Sequence, residues 1–148
     1  MAMYKHILMA TDLLDWSREV ENKVVEIQKL TGAKISIMHV IEPLPGAYMA
    51  GDYGAIPGYR NIGEVWSKNV HDSLVKISNR MGIAESNLVN VAGGVRDEIL
   101  QYVEDNDVDL IVVGSHGRHG LQLVLGSTAN AILHHARCDV LAVRIDES

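Results

Sequence analysis

Five short apolar runs recur along this chain, and none of them alternates strictly between polar and apolar residues. They are His6–Thr11, Lys34–Val40, Asn87–Val91, Asp109–Val113 and Asp139–Ile145. A strand open to water on one face alternates, whereas a strand covered on both faces does not. Between the runs, apolar residues return at helical spacing. The first such segment opens at Asp15-Trp-Ser-Arg-Glu, with Asp15 or Ser17 as its cap, and carries Val20, Val24, Ile27 and Leu30 before Gly32 stops it. The second spans about 62–81, with Val65, Val70, Leu74 and Ile77, and ends at Gly82. A turn at Gly93-Gly94 precedes a third, Arg96–Asp105, and a fourth covers Ser127–Arg137. Strand and helix thus alternate five times, with the last helix missing. That order predicts an α/β fold, a five-stranded parallel sheet with helices on both faces. Right-handed crossovers restrict the topology, and the expected strand order is 3-2-1-4-5. Ligands of such sheets bind beyond the carboxyl ends of the strands, where the order reverses. Asp12 follows the first run and Gly114 the fourth, so both fall at that crevice.

The chain of 148 residues reads as one domain, 1–148, with no internal repeat or linker. A chain of this size buries roughly 68–70% of its unfolded surface and needs no covalent staple. Its net charge of −6 weighs against nucleic acid or an anionic membrane as partner, yet leaves room for a local basic patch. A single cysteine, Cys138, precludes an internal disulfide and points to a reducing, cytoplasmic setting. It sits just before an apolar run and reads as a small packing residue. The opening Met-Ala-Met-Tyr-Lys leads at once into a strand, without a secretory h-region. No apolar run nears the roughly 18 residues of a membrane span, so no membrane association is expected.

The stretch after the fourth run carries the chemistry. Residues 114–128 read Gly-Ser-His-Gly-Arg-His-Gly-Leu-Gln-Leu-Val-Leu-Gly-Ser-Thr. Glycines let a backbone approach a ligand closely. A helix starting at Ser127 would point free N–H groups into the loop, as phosphate sites do. Arg118, His116 and His119 add donors that an anion would use. The competing reading is a flexible connector with a good helix cap. His116 and His119 could also pair on a transition metal, but no third ligand stands near them, so no metal ligands are assigned. His39, near the end of a strand, reads as a near-core imidazole. Ser115 and Ser127 read as donors and caps, and no Ser/His/Asp order stands out as a triad.

Other nucleotide signatures are absent. There is no Gly-x4-Gly-Lys-Ser/Thr loop, and the first strand–helix turn, Ala-Thr-Asp-Leu-Leu, is not Gly-x-Gly-x-x-Gly. That turn also lacks the Ser-Gly-Gly of the ATP pyrophosphatases. Between the second run and the second helix lies a loop of about twenty residues around 43–62, rich in proline and glycine, with Tyr48, Tyr53 and Tyr59. Such length marks a functional or mobile segment. The tyrosines either cover a site or anchor a loosely packed flap.

The chain resembles the universal stress protein family. The resemblance is carried by Lys5-His-Ile-Leu-Met-Ala-Thr-Asp12, Ile37-Met-His-Val40, Val108-Asp-Leu-Ile-Val-Val-Gly-Ser-His-Gly117, Gly126-Ser-Thr-Ala129 and Cys138-Asp-Val-Leu-Ala-Val143. It extends end to end except around 43–62. The family's nucleotide-binding branch carries Gly-x2-Gly-x9-Gly-Ser/Thr. Here the pattern is Gly114-x2-Gly117-x8-Gly126-Ser127, one residue shorter. The branch that lacks ATP binding has lost these glycines, and this chain keeps them.

The resemblance implies a Rossmann-like fold of the adenine nucleotide alpha hydrolase type. It implies ATP as ligand, with AMP or ADP as alternatives, together with Mg²⁺ or Mn²⁺. Adenine would lie near Val40 and the ribose near Asp12 and Gly114, with Ala10 and Thr11 among the cofactor-binding residues. The phosphates would sit on Gly117, Gly126, Ser127 and Thr128, with Ser115, His116, Arg118 and His119 also expected among the cofactor-binding residues. An acidic side chain such as Asp12 suits ribose hydroxyls, and the N–H groups of 126–128 would lie at the positive end of a helix. The implied role is a cytoplasmic, dimeric, nucleotide-dependent stress regulator with an unidentified protein partner. Two other roles stay open, a non-binding interaction protein of the same fold and a slow ATPase. No catalytic residue is assigned. The fifth run, apolar from Val140 to Val143 and at a sheet edge, is expected to pair two copies into a homodimer.

Overall fold

The computed structural model describes residues 3–11, 17–41, 59–115 and 127–144, with side chains given for all but 17, 59–67, 127 and 128. The elements run β1 (His6–Ala10), α1 (Ser17–Thr31), β2 (Lys34–Ile41), α2 (Tyr59–Met81), a 3-10 turn (Glu85–Asn87), β3 (Leu88–Ala92), α3 (Val95–Asp105), β4 (Leu110–Gly114), α4 (Ser127–His135) and β5 (Asp139–Val143). The strands form one parallel sheet in the order β3-β2-β1-β4-β5, as the alternation predicts. β1 is central and is matched to β2 from His6 opposite Lys34 to Ala10 opposite Met38.

Alternate residues of each strand feed two separate cores. Ile7, Met9, Ile35, Ile37, Leu110 and Val112 turn to one face, where Val20 and Val24 of α1 and Leu74 and Ile77 of α2 cover them. Leu8, Met38, Val40, Ile111 and Val113 turn to the other face, against Ile99 and Val103 of α3 and Ala129 and Ile132 of α4. Ile7, Leu8 and Met9 are all fully buried. This is why the central runs show no polar alternation, since both faces demand apolar side chains. Cys138 packs on the edge of the second core, as its position before β5 suggested.

Glycine ends the first two helices. Gly32 and Gly82 have φ of 71° and 72°, a left-handed conformation that a side chain would strain. Helix α2 begins at Tyr59, three residues before the expected start, so Tyr59 belongs to a helix and not to the preceding loop. Pro57 and Gly58 are the last breakers, and nothing between 59 and 62 opposes helix. Helix α4 stops at His135, with the Ala136 N–H still donating to the Ile132 carbonyl at 2.8 Å; residues 136–138 then turn into β5. The proposed capping role of Asp15 lies outside the described residues, as does most of the 43–62 loop.

Polar groups at the amino ends of the strands are tied to one another. The Asp109 carboxylate accepts the backbone N–H groups of Lys5 and His6 at 2.8 and 3.0 Å. The Asp109 N–H donates to the His6 carbonyl at 3.0 Å. His6 Nδ1 lies 3.0 Å from the Asn106 carbonyl, which only accepts, so Nδ1 carries the hydrogen. In the neutral ring Nε2 then accepts from Ser36 Oγ at 2.8 Å, and Ser36 Oγ accepts from the Tyr102 hydroxyl at 3.0 Å. The chain of hydrogen bonds links β1, β2 and α3.

An ion pair joins helices α1 and α2. Glu21 is only 3% exposed, and its two carboxylate oxygens accept from Arg80 Nε at 3.1 Å and Nη2 at 2.9 Å. A bidentate pair of this kind holds both planes in one geometry. Arg80→Ala should leave Glu21 buried without its main partner and cost about 1–3 kcal/mol. Urea denaturation should show a lower midpoint with an unchanged slope. A second outcome concerns Cys138. Burial, and then the Asp139 and Asp109 carboxylates, push its thiol up from the usual range. Alkylation by iodoacetamide at pH 8 should therefore be slower in the native protein than in the urea-unfolded chain.

Candidate functional site

The sheet opens between its two most central strands at one end. β1 and β4 pair only from Ile7 opposite Leu110 to Met9 opposite Val112. Beyond that point each strand follows its outer neighbour. The Thr11 N–H donates to the Met38 carbonyl of β2 at 2.9 Å. The Ser115 N–H donates to the Val143 carbonyl of β5 at 2.9 Å. The carboxyl ends of β1 and β4 thus leave a crevice bounded by Ala10 and Thr11 on one side and Gly114 and Ser115 on the other. This is the switch point of the strand order, and its location matches the expectation for Gly114.

Connectivity explains why the crevice has two kinds of wall. From β1 the chain winds outward through α1, β2, α2 and β3 on one face, then returns and winds outward through α3, β4, α4 and β5 on the other. On the α3 and α4 side Ala10 packs against the core to which the buried Val40 belongs. Thr11, Gly114 and Ser115 are half-buried. Helix α4 joins two parallel strands, so it runs against them and its amino end, Ser127 and Thr128, lies at the carboxyl edge of the sheet. Its first turn contains no acidic residue. The positive end of its dipole is therefore not offset from within the helix.

The structure brings together Ala10, Thr11, Val40, Gly114 and Ser115 at this edge, with the backbone of Ser127 and Thr128 starting α4. Asp12, His116, Gly117, Arg118, His119 and Gly126 lie outside the described residues. His39 is buried, in line with its reading as a near-core imidazole. Two groups at the edge were not singled out from sequence. The Gly93 N–H donates to the Ile41 carbonyl at 3.0 Å, which fastens the turn after β3 to the end of β2. Val143 holds Ser115 through its carbonyl. The Gly93-Gly94 pair was visible as a turn, but only the register places it at the same edge as Gly114.

Among the described residues, no three His, Cys, Asp or Glu side chains converge as a metal-binding group. Among the same residues, no helix is long and apolar enough to cross a membrane.

Comparison with known proteins gives the fold and the site a family. The model of the Universal stress protein family matches residues 3–144. Universal stress protein A homolog 1 of Coxiella burnetii is 39% identical over 144 residues, covering 97% of this chain and 99% of that protein. Among solved structures, hypothetical protein MJ0577 superposes with a TM-score of 0.80 at 22% identity, covering 99% of each chain. A universal stress protein in complex with cAMP superposes with a TM-score of 0.67 at 21% identity, covering 97% of this chain and 98% of that one. With a family match across nearly its whole length and a relative of such identity, this chain belongs to the universal stress protein family.

Proposed function

We propose that this protein binds ATP, with Mg²⁺ or Mn²⁺, at the crevice between β1 and β4 and acts as a dimeric, nucleotide-dependent stress regulator. The observation that carries the reading is the parting of β1 and β4 after Met9 and Val112, beside the amino end of α4. A flat base suits the apolar side formed by Ala10 and Val40. Phosphates suit a helix start with no acidic residue in its first turn. Asp12 would hold ribose hydroxyls. Gly117, Arg118, His119, Gly126, Ser127 and Thr128 would line the phosphates, with Ser115 and His116 beside them. The cation would offset phosphate charge in a chain of net charge −6. The family relative solved with cAMP supports a nucleotide as the class of ligand.

Binding rather than turnover is the core of the proposal. Turnover would need a base near the γ-phosphate and a way to fix a water; His116, Arg118 and His119 are the loop's candidates, and residues 114–128 contain no carboxylate. A cytoplasmic setting is part of the reading and rests on the free thiol of Cys138. So is a homodimer through the edge strand β5, whose outer side has no strand beside it among the described residues.

Calorimetry on nucleotide-free protein should give saturable heat with MgATP. Gly117→Val and Gly126→Val should weaken it at least tenfold, which is about 1.4 kcal/mol, because a branched side chain blocks backbone approach to phosphate. Circular dichroism should show both variants folded. A well-folded wild type with no heat at millimolar ATP would exclude the nucleotide reading. Folded variants with wild-type affinity would show that the phosphates lie elsewhere.

A further inference from the structure

The amino end of the sheet holds a buried imidazole that the nucleotide reading does not use. His6 is 8% exposed and Ser36 is fully buried. Tyr102 of α3 is half-buried. Two hydrogen bonds string the three together, from the Tyr102 hydroxyl to Ser36 Oγ at 3.0 Å and from Ser36 Oγ to His6 Nε2 at 2.8 Å. Tyr102 is the most exposed of the three, so the string runs from the surface of α3 inward to the ring. The His6 and Tyr102 rings also meet edge to face, with centroids 6.3 Å apart.

Imidazole changes charge in the range that mild acid covers. Burial opposes its charged form, whereas hydrogen-bond acceptors and a nearby carboxylate favour it. Here both nitrogens have an acceptor. Nδ1 already donates to the Asn106 carbonyl at 3.0 Å. Nε2 faces a hydroxyl oxygen, which accepts as well as donates. The Asp109 carboxylate is fixed on the backbone N–H groups of Lys5 and His6, at 2.8 and 3.0 Å. The remaining charged groups of the surrounding elements stand further into solvent. β1 and β2 contribute the exposed Lys5 and Lys34, and α3 and its following turn the exposed Glu104, Asp105 and Asp107. Arg96, Asp97 and Glu98 belong to the first turn of α3, at its other end. α4 contributes the exposed His134 and His135, and Arg137 beyond it lies 3.6 Å from Glu104. The Cys138 thiol, on the same core, is pushed up by burial and stays uncharged.

A charge on His6 fits when the string reverses. Once Nε2 carries a hydrogen, the ring donates to Ser36 Oγ. The Ser36 hydrogen then needs another acceptor, and the Tyr102 oxygen stands at 3.0 Å. The Tyr102 hydrogen in turn leaves Ser36 and points to water. The transfer balances. A proton from water joins the Tyr102 oxygen, the Tyr102 proton passes to Ser36 Oγ, and the Ser36 proton passes to Nε2. Each hydroxyl gains one O–H bond and loses one, and the ring gains one N–H bond.

We propose that His6 is a buried proton site, filled from water through Tyr102 and Ser36, and that its charge sets the direction of the hydrogen bond tying α3 to β2. The sheet thereby carries an acid-responsive switch at the end away from the crevice. With a neutral ring, Tyr102 donates inward to the strand. With a charged ring, it accepts from the strand and offers its own hydrogen outward. None of this depends on what the crevice binds.

Long-range proton–nitrogen NMR of the imidazoles between about pH 8 and pH 4.5 tests it on wild type, Tyr102→Phe and Tyr4→Phe. In the wild type, His6 should pass from a ring with hydrogen on Nδ1 to a doubly protonated ring while the backbone spectrum stays that of the folded protein. Tyr102→Phe removes the oxygen that the Ser36 hydrogen needs only when the ring is charged. The proton affinity of His6 should fall at least tenfold, moving its titration midpoint down by about one pH unit or more. Tyr4→Phe, which alters a tyrosine bonded to Asp139 at the same end, should leave the midpoint in place. Unfolded chains of wild type and Tyr102→Phe titrate alike, so the variant's stability deficit in urea should grow as pH falls through the wild-type midpoint. An unmoved midpoint in Tyr102→Phe, an equal shift in Tyr4→Phe, or a deficit that is the same at pH 7 and pH 5 would overturn the relay. A wild-type ring that keeps its single Nδ1 hydrogen until the protein unfolds would overturn the proton site itself.

Discussion

Pairing of β1 on both sides is the constraint from which the rest of the molecule follows. A parallel sheet requires a crossover for every strand, and right-handed crossovers place the helix by the direction of travel. From β1 the chain travels one way to β2 and β3, which puts α1 and α2 on one face. From β3 it jumps back past β1 to β4 and continues to β5, which puts α3 and α4 on the other. The two helical layers come from one rule applied in two directions. The helices that follow β1 and β4 lie on opposite faces, and the pairing of these two strands ends at Met9 and Val112. The crevice is a product of the topology before any side chain is considered.

The same logic explains what could be read from the sequence. A buried central strand has no polar face, so runs such as Ile7–Met9 and Leu110–Val113 were plain as strands, and their order with the helices led to the sheet. Gly32 and Gly82 were legible as stops because left-handed backbone is costly for other residues. Element ends were harder. Tyr59 looked like loop because it follows Pro57 and Gly58, yet a helix starts wherever breakers cease. β1 closes at Ala10 and not Thr11, and β5 at Val143 and not Ile145; where pairing stops is decided by neighbouring strands, and no local pattern encodes that. At the site, Gly114 and Ser115 were found from composition. The hydrogen bond from Ser115 to Val143, and that from Gly93 to Ile41, join residues far apart in sequence, and their spacing carries no signal.

The two ends of the sheet are built to different standards. At the amino ends, Asp109, His6, Ser36, Asn106 and Tyr102 satisfy one another, and Tyr4, Asp139 and Thr31 likewise find partners within the chain. At the carboxyl ends, β1 and β4 stop sharing hydrogen bonds and turn to outer neighbours. Buried polar groups that are matched make a rigid base. An edge whose strands diverge can accept something else. Rigidity below and opening above are complementary, because a ligand gains most from a frame that does not need to be ordered on binding.

Ser36 has a consequence for how the chain chooses among its own misfolded alternatives. It is a hydroxyl set among Ile35, Ile37 and Met38 of β2, and it is fully buried. Apolar residues on both faces of β2 would tolerate a slip of one position against β1, since an isoleucine moved to the other face would still find a core. Ser36 does not tolerate it. A slip would send its hydroxyl into the aliphatic layer beneath α1 and α2 and would set an isoleucine against the His6 ring, which then loses its partner. The cost of those two unpaired groups separates the correct register from its nearest competitors. A single small polar residue thus acts as a key for the alignment of the whole sheet, and so for the position at which β1 and β4 part.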